Sequence, residues 1–182
     1  MDKYETIKAL DDDHGIAVAR RRRGLYVQGS GCTLWDDEGK EVLDFTGAAG
    51  LGHCHPAVTS AIIRQSQQIM SHAAGLLVAP GAQLAAKLSE LSGLDRALIA
   101  ASSGEAFDFA LKLAKKHGKS KRPEGDYQMV SLSRSQHGGT IGGTAISGQR
   151  RLQRPFEPLF ESVIHIEPND LDGLQQGMNS SV

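Results

Sequence analysis

Cysteine is nearly missing from this 182-residue chain, which has Cys32 and Cys54 and no others. Two thiols cannot form a disulfide framework, so a reducing compartment, the cytoplasm, is the expected setting. No apolar run approaches the ~20 residues that span a bilayer, so no membrane partner is expected. The opening MDKYETIKALDDDHG is acidic and lacks the apolar stretch of a secretory signal. Neither sign of charge is in excess. The net charge is -1, which gives no reason to expect a nucleic-acid partner. There is no G-x-G-x-x-G and no G-x-x-x-x-G-K-[ST], which removes the dinucleotide fingerprint and the Walker loop as phosphate binders. No internal repeat occurs.

What remains is an ordinary folded composition, 40% hydrophobic and 23% charged. Its glycines gather in FTGAAGLGHCHP and HGGTIGGTAISG. Such clusters mark tight turns or close backbone approach. The run Arg20-Arg21-Arg22-Arg23 reads as a solvated face, with phosphate binding as the sharper alternative. Thr33-Leu34-Trp35 and Glu41 to Phe45 flank a Gly-containing loop and predict a hairpin. HPAVTSAIIRQSQQIM predicts a helix with Pro56 in its first turn. PGAQLAAKLSELSG predicts another, with Leu84, Leu88 and Leu91 on one side and Gly93 as its stop.

Three strand-then-helix units follow. Ala97 to Ala100 leads to a helix over 105–117. Tyr127 to Leu132 leads to a Gly-rich segment helical from about Thr140. Val163 to Ile166 leads to Asn169-Asp170 as the cap of a short helix. Strands alternating with helices predict an α/β fold with a largely parallel sheet.

The chemistry concentrates at two strand ends. Ser102-Ser103-Gly104-Glu105 stands where a strand enters and a helix leaves, which makes a generic anion cradle of free N–H groups and helix dipole. The plainer reading is that Ser102 or Ser103 caps the helix. In Ser135-Gln136-His137-Gly138, His137 is either a site residue beyond a strand's carboxyl end or a turn histidine. His53-Cys54-His55 is not read as a metal site, since three consecutive residues seldom converge on one ion.

Four stretches, LDFTGAAGLGHCHPAV, SSGEAFDFALKLAKKHG, SQHGGTIGGTAISGQ and FEPLFESVIHIEPNDLDGL, resemble in order and spacing the class III pyridoxal-phosphate aminotransferases. The resemblance runs from about Gly24 to Leu174. It is nearest to acetylornithine aminotransferase and dialkylglycine decarboxylase. It implies part of a fold type I large domain, parallel-rich with flanking helices, preceded by a β-hairpin segment. Residues 1–48 would belong to the small domain and 49–182 to an incomplete coenzyme-binding domain. The cofactor would be pyridoxal 5'-phosphate, with Ser102, Ser103, Gly104, Gln136 and His137 on its side of the protein. Ser103 and Gly104 take the phosphate positions.

Gln136 stands where the family has a ring-covering aromatic, and Gly139 where the acetylornithine enzymes have an arginine. The loop between Phe45 and Leu51 is shorter than in the family. The resemblance places the coenzyme-binding lysine and the aspartate that pairs with the pyridine nitrogen beyond this sequence, and none of its nine lysines stands in the lysine motif. The expected function is therefore the N-terminal portion of an aminotransferase acting between an amino acid or amine and a 2-oxo acid, inactive alone. Its expected partner is a second copy in a homodimer or a complementing C-terminal half. A dimerisation partner without catalysis, a phosphate-ligand binder and a decarboxylating transaminase portion stay open beside it.

Overall fold

The computed structural model describes residues 2–17, 24–47, 50–73, 75–121, 128–160 and 162–178. The run Arg20–Arg23 and Tyr127, together with two residues of the loop between Phe45 and Leu51, lie outside the described residues. The chain divides into two compact units, Met1–Leu76 and Leu77–Val182.

The first unit holds α1 (Lys3–His14), strands β1 (Tyr26–Ser30), β2 (Thr33–Asp36) and β3 (Glu41–Leu43), and α2 (Pro56–Ser66). Asp2 caps α1 by accepting the Tyr4 N–H at 3.3 Å. The predicted hairpin is β2–β3, with Thr33 opposite Leu43 and Trp35 opposite Glu41. Asp36 organises its turn, its Oδ1 accepting N–H groups from Glu38 and Lys40. The sequence reading missed β1, which pairs antiparallel with β2 through a two-residue loop. Gly31 begins that loop at φ 56°, a conformation costly for any residue with a Cβ. α2 begins at Pro56 as predicted, and His55 caps it by accepting the Ala57 N–H through Nδ1.

Asp44 and His53 close the Gly-rich loop after β3. His53 Nε2 lies 2.7 Å from Asp44 Oδ2, and Gly31 pairs with His53 through two backbone hydrogen bonds. Hydrogen bonds from Thr46, and then from His53, push the Asp44 carboxyl from 3.8 down to about 2. A depressed folded value stabilises the unit above the ordinary carboxylate range, and that stabilisation is lost as pH falls toward about 2. We expect Asp44→Asn to remove this part of the acid transition. Trp35, the single tryptophan and a β2 residue, reports it by fluorescence between pH 5 and 2. An unchanged acid limb in the variant would refute the clamp.

The second unit holds α3 (Ala79–Ser92), α4 (Ser103–Lys121), β4 (Met129–Leu132), α5 (Ile141–Ile146), α6 (Arg150–Gln153), β5 (Val163–Ile166) and α7 (Leu171–Gly177). Gly93 ends α3 in the left-handed region at φ 72°, donating its N–H to the Ser89 carbonyl. β4 and β5 pair in parallel, Met129 with Val163 through Leu132 with Ile166. α7 starts after Asp170, whose Oδ1 accepts the Gly173 N–H at 2.8 Å. The predicted strand over 97–100 is corrected: those residues form no ladder. A strand exists only by pairing, and the two described strands of this unit pair with each other.

Among the described residues the buried apolar side chains are Ala145 and Ile146 of α5, beside buried Ser131, Ser147 and Gln153. Many other large apolar side chains are exposed. Leu84, Leu88 and Leu91, the predicted stripe of α3, are 47%, 40% and 71% exposed, and Leu98 and Ile99 are also exposed. Each full burial is worth about 1.5–3 kcal/mol, so these side chains hold back a large part of the stabilisation they could supply.

Candidate functional site

The start of α4 shows the cap and, among the described residues, unpaired donors beside it. Ser102 Oγ accepts the Glu105 N–H at 3.2 Å, and the Ser102 carbonyl accepts the Ala106 N–H at 2.9 Å. The Glu105 carboxylate accepts the Ala101 N–H at 2.7 Å. This S-x-x-E capping arrangement closes the donors on both sides of the turn. It leaves the Ser103 and Gly104 N–H groups without an acceptor among the described residues. They stand at the positive end of a helix of 19 residues.

The second glycine cluster packs against this turn. A Cβ on Gly138 would lie 3.5 Å from the Gly104 Cα, and one on Gly104 would lie 3.0 Å from the Thr140 methyl. Thr140 ties the pieces together. Its Oγ1 donates to Asp108 Oδ1 at 2.8 Å and accepts the Gly143 N–H at 3.0 Å, capping α5 while holding it to α4. The close approach demands small residues: a Cβ on Gly143 would come within 2.4 Å of the His137 carbonyl oxygen.

His137 is half-buried. Its ring stacks on Phe107 of α4, centroids 4.6 Å apart and planes 10° from parallel. Its Nε2 lies 3.4 Å from Ser131 Oγ, which in turn lies 3.1 Å from Ser135 Oγ. The imidazole therefore anchors the loop after β4 to α4 and to the sheet. Gln136 is exposed on that loop. A cavity of about 490 Å³ runs along the stack, lined in part by Phe107, Leu111, Ser131, Leu132, Ser135 and His137.

The structure thus brings Ser102, Ser103 and Gly104 together with the loop that carries Gln136 and His137. Sequence reading missed Phe107, Asp108 and Thr140, which join the two. The one local signal for them was Thr140 preceding a Gly-rich helix start; Phe107 and Asp108 look like ordinary helix residues in the sequence.

A family model, Aminotransferase class-III, matches residues 17–181. Acetylornithine aminotransferase of Bacillus cereus is 38% identical over 173 residues, covering 93% of this chain and 43% of that protein. The ornithine aminotransferase structure from Toxoplasma gondii ME49 superposes with a TM-score of 0.89 at 23% identity, over 97% of this chain and 43% of that one. A second Toxoplasma gondii ornithine aminotransferase structure, with PLP at partial occupancy in its active site, gives 0.84 at 24% identity over 95% and 42%. The chain spans about two fifths of the length of these relatives. Over that span the α/β units are those of a partial pyridoxal-phosphate transaminase fold, and the chain belongs to the class III aminotransferases, the family its four motifs resemble.

Proposed function

We propose that this chain is the phosphate-holding portion of a pyridoxal-phosphate aminotransferase that moves an amino group between an amino acid or amine and a 2-oxo acid. Residues 1–48 serve as its small-domain segment and 49–182 as part of its coenzyme-binding domain. The observation that carries the reading is the turn at 102–105, which spends its side chains on capping and leaves two adjacent amides free.

The residues fit one end of the coenzyme. The Ser103 and Gly104 amides suit a phosphate ester, and the missing Cβ of Gly104 leaves room for it against Thr140. His137 and Phe107 hold the neighbouring loop in place, and Gln136 offers an amide rather than an aromatic face. Gly139 carries no guanidinium for a substrate carboxylate, so acetylornithine is not the favoured substrate. When bound, pyridoxal phosphate supplies the electron sink for amino transfer, and it needs an amine to hold its aldehyde. The lysines of α4 do not meet that need. Lys112 is the first of them, eight residues past Gly104, about 12 Å along the helix axis. We assign the lysine and the pyridine-pairing aspartate to a segment outside these 182 residues. The exposed apolar side chains of α3 and of residues 98–99 support a docked partner, either that segment or a second copy.

Co-expression with the lysine-bearing C-terminal portion of a family member tests the assignment. Borohydride reduction and mass mapping should find the coenzyme on the partner's lysine and on none of this chain's nine lysines. Transaminase activity should appear only in the mixture. Stoichiometric labelling of this chain alone, or no adduct with any partner, would overturn the proposal.

A further inference from the structure

The other end of α4 carries a second, separate feature. Lys112 and Lys115 lie three residues apart, on one face of the helix. The Lys115 ammonium sits 3.9 Å from the centroid of the Phe160 ring, and that of Lys112 sits 5.4 Å from the Phe109 ring. Neither lysine makes an ion pair among the described residues, whereas Lys8 and Lys87 pair with carboxylates. Asp108, the nearby acid on the same helix, is engaged by Thr140. Between α4, β4, α5 and Phe160 opens a cavity of about 240 Å³, walled by Leu111, Met129, Gly142, Ala145 and Phe160, with Lys112, Lys115 and Asp108 on it.

We infer that this cavity binds a small amphipathic carboxylate, its apolar tail among Leu111, Met129 and Phe160 and its head between the two ammonium groups. Size, lining and charge agree on this class. At a water's share of liquid volume, about 30 Å³, the cavity holds about eight non-hydrogen atoms, the carbons of an eight-carbon acid whose carboxylate oxygens stay at its mouth. Its walls favour hydrocarbon over a multiply charged phosphate. The two cations outnumber the Asp108 carboxylate, which Thr140 engages, and so complement a carboxylate, which gains charge-assisted hydrogen bonds from both. Nothing in the proposal depends on the amides of Ser103 and Gly104.

Octanoate and octan-1-ol, titrated into the 182-residue chain by calorimetry or by methyl NMR of Met129, supply the test. Octanoate should bind about tenfold more tightly than the alcohol, because each ammonium contributes a few-fold and together they approach one decade. The double substitution Lys112→Gln and Lys115→Gln should erase the difference without unfolding the chain, since Lys112 is exposed and Lys115 only half-buried. Lys115→Arg should preserve it by keeping a cation over Phe160. Pyridoxine 5'-phosphate, added to excess, should not displace octanoate; displacement would place both ligands in one site and refute the inference. Equal binding of acid and alcohol, or octanoate binding unchanged by the double substitution, would likewise overturn it, leaving only an apolar surface.

Discussion

Gly104→Asp should abolish binding of pyridoxine 5'-phosphate, the alcohol analogue that carries the phosphate but cannot react with lysines. The expected loss exceeds about a hundredfold. A carboxylate beside a phosphate dianion, at about 4 Å and an effective dielectric near 20, costs about 4 kcal/mol per pair of unit charges. Even half of that is more than a factor of ten. The free amides would also gain an intramolecular anion as a competitor. Two controls separate charge from space. Gly104→Ala places a methyl 3.0 Å from the Thr140 methyl, close enough that Thr140 must give by a few tenths of an ångström. Thr140 is held by hydrogen bonds to Asp108 and Gly143, so this variant should bind a few-fold more weakly and no worse. Ser103→Ala leaves its amide intact and should bind like the parent chain. Calorimetry or phosphorus NMR reads all three, with circular dichroism to confirm that α4 persists. Equal binding by the parent and Gly104→Asp would remove the site.

Much of this arrangement was legible because it is local. Pro56 starts α2, Gly93 stops α3, Ser102 and Glu105 open α4, and Asp170 opens α7. Each is a contact between residues a few positions apart, and each stands where the sequence put it. Alternation of strand and helix likewise implied the parallel pairing of β4 with β5. The misses share one cause, dependence on distant residues. Residues 97–100 have the composition of a strand, but composition cannot supply a ladder partner. β1 is the longest described strand, but its register shifts between Tyr26 and Gln28, so its alternation is broken. His137 was readable as a histidine after a strand, but its stack on Phe107 spans thirty residues and is a tertiary fact. The two readings of Ser102 to Glu105, cap and cradle, stood as rivals in the sequence. The geometry shows the cap and does not exhaust the turn's donors, because the capping side chains satisfy only the outer ones.

Gln153 had no signal in the sequence at all, and its loss carries the largest expected effect on stability. It is 4% exposed, and its side-chain Nε2 reaches the carbonyls of Thr144 at 3.1 Å, Ala145 at 3.2 Å and also Ser147. These are the last carbonyls of α5 and its exit, which have no intrahelical donor. α5 also holds Ala145 and Ile146, the buried aliphatic side chains among the unit's described residues, and its cap Thr140 stands against Gly104. Gln153→Ala strips the donor and leaves buried acceptors unpaired, at a cost of about 2–4 kcal/mol. For a unit of this size the midpoint of thermal unfolding should fall by about 10 °C or more. Gln153→Glu gives a sharper reading because its effect has a sign in pH. A carboxylate among carbonyl oxygens is disfavoured, so the folded protein raises the pKa of the new side chain. An acid whose folded value is raised is tolerated while protonated, and stability is lost as pH rises through its ordinary value of about 4.3. The variant should therefore approach the parent in acid and fall away from it at neutral pH, whereas Gln153→Ala should stay below the parent at both. Thermal melts of the three proteins at pH 4 and pH 7 decide it. If the alanine variant melts within a degree or two of the parent, α5 is held by something other than this amide.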